Sequence, residues 1–411
     1  MEIVLRLAWR NLWRHSRRTW LTASAIAFVT ALMVFLITLQ LGSYDLMIDS
    51  SLRLFTGQMQ VQRAGYLEKP QIRKVIPEAA DLAQRLRQIP SLAQVGIAVR
   101  AQAFALASSG TRSYGVEVVG VQPEYEPRVS TLPHLIKSGR YFSGSATQEA
   151  VIGATLARNL NVRVGDELTL LGSARDGSVA ATIVRVTGLF DSGMRELDRH
   201  VVQLPLRSFQ ELFGLDHAAH AIVFVAPELK QLPPLERDVA AVLPAAEDLV
   251  VLDWERLVPG LKQLIQADWT TGWFSYLALI VVVTFSILNT FIMSVLERTR
   301  EFGTMLALGT TPLRIGTMVV FESLFLTLLG IVIGVGIGVL VALYLSVHGF
   351  TYPGLKELMG QYGLPGLIYP KLSLVSVGLG PAVILACILA TSFYPAMRIR
   401  KLNAVEAMHA V

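Results

Sequence analysis

Histidines and carboxylates are the side chains best suited to acid–base or metal chemistry, and in this sequence they are scattered. His134, His200, His217 and His220 share no metal-site spacing; His217 and His220 lack a third ligand and read as a solvated loop pair. Glu124 and Glu126 stand beside Pro123 and Pro127, a context that points to a turn rather than an acid/base pair. No GxSxG elbow and no GxxxxGK[ST] phosphate loop occurs. Neither catalytic nor metal-binding residues are therefore expected, nor a cofactor on this chain, and any nucleotide hydrolysis belongs to another polypeptide. The single cysteine, Cys387, lies inside an apolar run and is expected to pack as a small apolar residue.

A different kind of pattern stands out between two apolar runs: Glu297, Arg298, Thr299, Arg300, Glu301, Phe302, Gly303, Thr304, Met305, Leu306, Ala307, Leu308 and Gly309, then Thr310, Thr311, Pro312, Leu313 and Arg314. A charged turn leads into a short apolar helix that ends at a glycine. Held between two membrane spans, such a ridge can enter a groove on a partner and receive its movement. Composition alone allows a plainer reading, in which Arg298 and Arg300 anchor headgroups and Glu297 and Glu301 balance them.

The elements that would position this segment follow from hydropathy. Of the 411 residues 53% are hydrophobic and only 16% charged, too apolar for an ordinary soluble enzyme. A helix needs about 20 apolar residues to cross roughly 30 Å of hydrocarbon. Four runs meet that length: Trp20 to Leu41, Trp273 to Leu296, Met318 to Val347 and Leu372 to Tyr394. The first is longer than the core of a cleaved signal peptide and no small-x-small site follows it. The formal charge of +5 gathers at the ends of these runs, where headgroups lie, so membrane lipids rather than nucleic acid are the expected partner. Glu322, about a turn inside the third span, is expected to snorkel or to pair with an arginine, and Asn289 to bond a neighbouring helix. Gly330, Gly334 and Gly338 recur every fourth residue on the third span, where small side chains let helices approach.

Lys and Arg are retained on the cytoplasmic side. They precede the first span (Arg6, Arg10, Arg14, Arg17, Arg18), separate the second from the third (Arg298, Arg300, Arg314) and follow the fourth (Arg398, Arg400, Lys401), whereas the last outer loop has Lys356 and Lys371 with Glu357. Both termini then face the cytoplasm. The expected organisation is a cytoplasmic amphipathic helix (1–19), spans at 20–42, 269–297, 318–347 and 372–396, an extracytoplasmic domain (43–268), a cytoplasmic coupling loop (298–317), an outer loop (348–371) and a cytoplasmic tail (397–411). On a helical wheel Arg6, Arg10, Arg14 and Arg17 face away from Val4, Leu5, Ala8, Trp9 and Leu12, which predicts an interfacial helix along the inner leaflet.

Between the first two spans, strand patterns (Met59 and Val61, Val116–Val121, Glu167–Leu171, Ala181–Phe190, His200–Leu206, Ala221–Val225) alternate with helical ones (Pro77–Ile89, Ala154–Leu160, Ser208–Phe213). This predicts a mixed α+β domain, with a turn at Gly165 and Asp166 and a helical stalk from Glu255 to Leu264 running into the second span.

The run Glu297 to Gly309, the span carrying Glu322-Ser323-Leu324, and the closing Tyr394-Pro395-Ala396 and Asn403-Ala404-Val405-Glu406-Ala407 resemble the FtsX/MacB (type VII) superfamily of ABC transporter permeases. Ala150-Val-Ile-Gly153 through Val164-Gly165-Asp166-Glu167-Leu168 is similar to the lipoprotein-releasing Lol-type permeases. The resemblance implies four transmembrane helices with a MacB-like periplasmic core domain inserted after the first, in a bacterial inner membrane. It implies that Glu297, Arg298, Thr299, Arg300, Glu301, Phe302, Gly303, Met305, Leu306, Ala307, Leu308 and Gly309 dock on an ABC ATPase dimer that carries the ATP and Mg, and that the chain pairs with a second permease copy or paralogue. A lipoprotein or other amphiphile is the implied substrate, extracted by mechanotransmission, and a periplasmic lipoprotein carrier is a further implied partner. The alternative within the family is a mechanotransmitter that regulates an envelope enzyme. Two departures bear on the choice: this sequence has no fused ATPase domain like that of MacB, and its 43–268 domain is larger than expected of the cell-division FtsX proteins.

Overall fold

The computed structural model describes residues 2–14, 16–144, 148–244, 247–351, 353–355 and 366–399. Arg400, Lys401, Lys356, Glu357 and the 403–407 motif lie outside the described residues, as do the side chains of Arg398 and of Tyr394-Pro395-Ala396. The helices are α1 (Glu2–Arg14), α2 (Ser16–Ser51), α3 (Ala79–Arg87), α4 (Glu126–Val129), α5 (Ala154–Leu160), α6 (Arg195–His200), α7 (Leu206–Phe213), α8 (Leu232–Val242), α9 (Trp254–Leu257), α10 (Pro259–Glu297), α11 (Thr299–Ala307), α12 (Pro312–His348) and α13 (Leu374–Ile399). The strands are β1 (Met59–Arg63), β2 (Gly96–Ser109), β3 (Arg112–Val121), β4 (Ile136–Gly139), β5 (Glu149–Gly153), β6 (Glu167–Ser173), β7 (Val179–Phe190), β8 (Val201–Pro205), β9 (Ala221–Val225) and β10 (Leu249–Asp253). The chain divides into a helical unit (Met1–Asp45, Ile265–Tyr352, Leu367–Val411) and a sheet-rich unit (Leu46–Leu264, Pro353–Gly366).

In the helical unit α2, α10, α12 and α13 are each long and apolar enough to cross a membrane. Of the most apolar stretch of α2, 56% is buried within the chain, against 22–28% for the other three, which makes α2 the central helix. Gly330, Gly334 and Gly338 meet it. A Cβ on them would lie 2.7 Å from Ile26 Cβ, 2.5 Å from the Ala27 carbonyl oxygen and 2.9 Å from Val34 Cβ, so only glycine allows this approach of α12 to α2. Near the opposite ends of these helices Tyr44 Oη and Gln40 Nε2 of α2 donate to Asp268 Oδ2 of α10 at 2.6 and 3.1 Å, and Tyr276 Oη donates to Gln40 Oε1 at 2.6 Å. Cys387 packs partly buried beside Ile384 and Ile388. Asn289 is exposed on α10 and makes no side-chain hydrogen bond among the described residues, so the bond expected to a neighbouring helix is not formed among them.

The sheet-rich unit is α+β. Its strands follow the order β10–β1–β9–β2–β3–β8–β5–β7–β4, with β6 pairing both β2 and β7. β3/β8 and β5/β7 are parallel and the remaining pairs antiparallel. β2 and β3 join through a two-residue turn in which Gly110 takes φ +56°, the left-handed region a tight hairpin requires. Side chains alternate across the sheet: Val116 and Val118 enter the larger core with α3, α5, α7 and α8, while Val119 and Val121 face the opposite cluster with Leu54, Val151 and Phe190.

Three expectations change here. β2 carried no strand pattern in the sequence, since Gly96–Gln102 is almost wholly buried on both faces and small residues interrupt the alternation. The stalk from Glu255 to Leu264 is two helices: α9 stops at Leu257 and α10 opens at Pro259, whose ring disfavours helical backbone at Val258 (φ −131°, ψ 67°). His220 is fully buried rather than solvated. Its Nδ1 accepts from Gln102 N at 3.0 Å, its ring stacks on Tyr66 at 5.1 Å, and burial, foremost, depresses its pKa to about 4.

Candidate coupling site

The segment from Glu297 to Arg314 forms a helix, a tight stop and the start of the next span. α11 ends in paired reverse hydrogen bonds, Gly309 N to Leu306 O and Thr310 N to Met305 O, both 3.0 Å, around Gly309 at φ +87°. This left-handed stop satisfies the last carbonyls, and Pro312 then opens α12 at a position where its missing N–H costs nothing.

Ion pairs brace this helix on its inner side. Arg298 is 6% exposed; its Nη1 donates to both Glu322 oxygens at 3.0 and 3.2 Å, and its Nε donates to Glu301 Oε2 at 3.1 Å. The partner anticipated for Glu322 is thus Arg298, one helix away. Arg14 Nη1 of α1 lies 3.3 Å from Glu301 Oε1, and Arg18 of α2 reaches Glu297 Oε2 at 2.9 Å and Ser294 Oγ at 2.5 Å. One carboxylate, Glu301, therefore joins α1 to the start of α11, while Arg18 fastens α2 to the end of α10. The residues around Arg298 enclose a polar cavity of about 30 Å³ lined by Asn11, Thr19, Thr22, Ser294 and Glu322, room for about one water.

The structure sorts the twelve residues of Glu297–Gly309 named from the sequence into two sets. Arg298, Phe302 and Gly303 are buried, Thr299 bonds back to Val295 and Leu296 through its hydroxyl, and Met305 and Leu306 are half-buried against Ala8, Ile315 and Met318. These hold the helix. Glu297, Arg300, Ala307, Leu308 and Gly309 are exposed, and Glu301 is half-exposed between its two arginines. Leu308, 87% exposed at the end of α11, and Leu313, 64% exposed at the start of α12, make the turn between them an apolar tip. Leu313, Arg18 and Glu322 are the residues that sequence reading left out of the site; an apolar residue directly after a Gly-x-x-Pro stop was the available signal for the first.

The α1 helix is more occupied than a lipid-lying helix would be. Ala8 and Leu12 are fully buried and Trp9 meets Phe325 edge-on at 5.6 Å, because α12 covers part of the apolar face. Arg6 and Arg10 are exposed, as are Leu7, Trp9 and Trp13. Among the described residues no group of three His, Cys, Asp or Glu is gathered as a metal site would require.

Comparison with known proteins gives the family. The sheet-rich part is similar to the crystal structure of the periplasmic region of MacB from Actinobacillus actinomycetemcomitans, with 14% identity, a TM-score of 0.37, and coverage of 52% of this chain and 94% of that one. The lipoprotein-releasing system transmembrane protein LolE of Haemophilus influenzae is 26% identical over 345 residues, 80% of each chain. The corresponding LolC of Neisseria meningitidis is 23% identical over 318 residues, 74% of this chain and 75% of that one. Residues 273–404 match the FtsX-like permease C-terminal family and residues 19–242, more than half of the chain, match the MacB-like periplasmic core domain. With both domains present in that order around four apolar helices, the chain belongs to the FtsX/MacB family of ABC transporter permeases.

Proposed function

We propose that this chain is the membrane subunit of an ATP-driven complex that extracts a lipoprotein or similar amphiphile from the bacterial inner membrane. The observation that carries the reading is the exposed pair Leu308, at the end of α11, and Leu313, at the start of α12, beside helix ends braced by Arg14, Arg18, Arg298 and Glu322. A rigid, apolar, cytoplasm-facing tip is what a groove on an ATPase can grip and move. ATP and Mg are bound and turned over on that ATPase dimer, a second copy of the chain or a paralogue completes the membrane half, and the sheet-rich unit works in the periplasm. The similarity to LolE and LolC supports lipoprotein as the cargo, and with it a periplasmic carrier to receive it.

Leu308→Asp with Leu313→Asp tests the docking. Both positions are exposed, unlike Met305, so the double variant is expected to insert normally and to lose co-purification with the cognate ATPase. Undiminished co-purification would refute the site. For the cargo, native mass spectrometry after gentle extraction should show a bound lipoprotein or lipid; a regulator of an envelope enzyme should carry none.

A further inference from the structure

Two of the helices that run into the sheet-rich unit, α2 at its start and α10 at the end of its long first segment, join the sheet in different ways. A helix leaves its last carbonyls without partners inside the helix. After Ser51 the α2 helix widens into a five-residue turn, Leu52–Thr56, closed by Gly57 N on Leu52 O at 2.7 Å. Each of the four carbonyls that follow is taken by a group of the sheet-rich unit. Thr131 N donates to Arg53 O at 2.9 Å, Ser130 Oγ to Leu54 O at 2.9 Å, Arg100 Nη1 to Phe55 O, and Gln60 Nε2 to Thr56 O at 2.6 Å.

Arg100 anchors this end. It is 2% exposed, its other nitrogens grip the fully buried Glu126 at 2.5 and 3.2 Å, and its guanidinium lies 5.3 Å from the Phe55 ring centre. A fixed cation against carbonyls at a helix C-terminus also complements the helix dipole. Glu126, Ser130 and Thr131 stand on one short stretch, so α4 and its exit act as a clip over residues 53–55. Gly57 admits no side chain, since at φ +78° a Cβ would fall 2.2 Å from Val223 Cγ1.

The second joint has none of this. From Leu249 to Leu264 no residue is fully buried, Val258 breaks the helix before Pro259, and a Cβ on Gly260 would meet nothing within 4 Å. Across the break the side chains of Glu255 and Lys262 pair, both about 40% exposed.

We infer that, within the sheet-rich unit, the end of α2 is welded to the sheet through residues 52–57 whereas the start of α10 is hinged to it at Val258–Pro259, with Arg100 as the positioning residue that holds the weld. Movement that reaches the end of α2 then passes into the sheet, and the second joint absorbs the change of angle. The transmitting role rests on the transport reading above; the weld itself does not.

Two measurements separate them. Hydrogen–deuterium exchange on the full chain should show peptides covering 52–57 among the most protected and those covering 256–262 among the least. Arg100→Leu with Glu126→Leu, which leaves no unpaired buried charge, should speed exchange at 52–57 about tenfold while peptides covering 201–205 keep their protection. Ser130→Ala should do the same to a smaller degree without touching the ion pair. Equal exchange at the two joints, or no effect of these variants, would overturn the weld whatever the ATPase does.

The second measurement uses the complex with its ATPase, in a background with Cys387→Ala. Spin labels at Ser50→Cys and Lys137→Cys should hold one distance with and without trapped ATP, while labels at Lys137→Cys and Gln263→Cys should shift. A nucleotide-dependent Ser50–Lys137 distance overturns the inference. No response at either pair overturns the transmitting role. Failure of the chain to bind the ATPase counts against the transport reading alone, since exchange has by then decided the weld.

Discussion

The two units each contain an Arg–Glu pair that holds a helix end, and they spend charge differently. In the sheet-rich unit Arg100 and Glu126 are 2% and 0% exposed at the side chain, with every grip supplied by rigid neighbours. In the helical unit Arg298 and Glu322 are 7% and 15% exposed, and Glu301, at 38%, shares the same arginine. A fully enclosed pair stabilises only as long as both partners are present, because a lone buried charge has no access to water. The pair in the helical unit lines a polar cavity with room for about one water, so a survivor keeps polar neighbours and loses less when the pair is broken. The first arrangement makes a rigid joint; the second braces a short helix whose tip must remain exposed.

The largest expected effect breaks the enclosed pair from one side. Arg100→Leu strands Glu126 and should destabilise the sheet-rich unit by about 3–5 kcal/mol, whereas adding Glu126→Leu should recover most of that loss. Denaturant titration followed by hydrogen exchange reads both. Next comes the packing on which the helical unit relies in place of enclosed charge. Gly334→Val drives a side chain into the Ala27 backbone and should lower stability by about 2–3 kcal/mol, seen as a reduced melting temperature in detergent.

The pH dependence sharpens the contrast further. Burial depresses His220 from 6.5 to about 4, and only in the sheet-rich unit. Between those values the unfolded chain binds a proton that the folded chain refuses, so stability falls as pH drops from about 6.5 toward 4. Moving from pH 7 to pH 5 should cost about 2 kcal/mol, and His220→Gln should flatten that slope. Glu149 adds little to it: despite some burial, hydrogen bonds from Arg140 and Ser143 hold its carboxyl at about 2, so its contribution is lost as pH falls from about 4.5 toward 2. Arg298→Leu should remove about 1–2 kcal/mol from the helical unit, less than the enclosed arginine, and loosen α11 as read by exchange over 299–307. Smallest is Arg14→Ala. That pair is 63% and 38% exposed and should be worth about 0.5 kcal/mol or less, and a larger loss would mean that α1 braces the coupling helix more strongly than its exposure indicates.

What reading the sequence could reach was local. Four apolar runs of helical length, a glycine stop at Gly309 followed by Pro312, and glycines every fourth residue on α12 each depend on neighbours within a few turns, and the membrane helices and mixed unit follow from them. Glu126 was legible only as a turn residue beside two prolines, and His220 only as half of a loop pair. Their burial depends on Arg100, Gln102 and Ile72, which chain topology brings together across 26 to 148 residues. The first half of β2 is hidden for the same reason: Gly96–Gln102 is covered on both faces and has no alternation to read. Sequence by itself determined which stretches seek lipid and which seek water, because transfer free energy is a sum over nearby side chains. Only the tertiary structure decided which charges are enclosed, which leucines stay exposed, and which joint is rigid, because those depend on what the rest of the chain places against them.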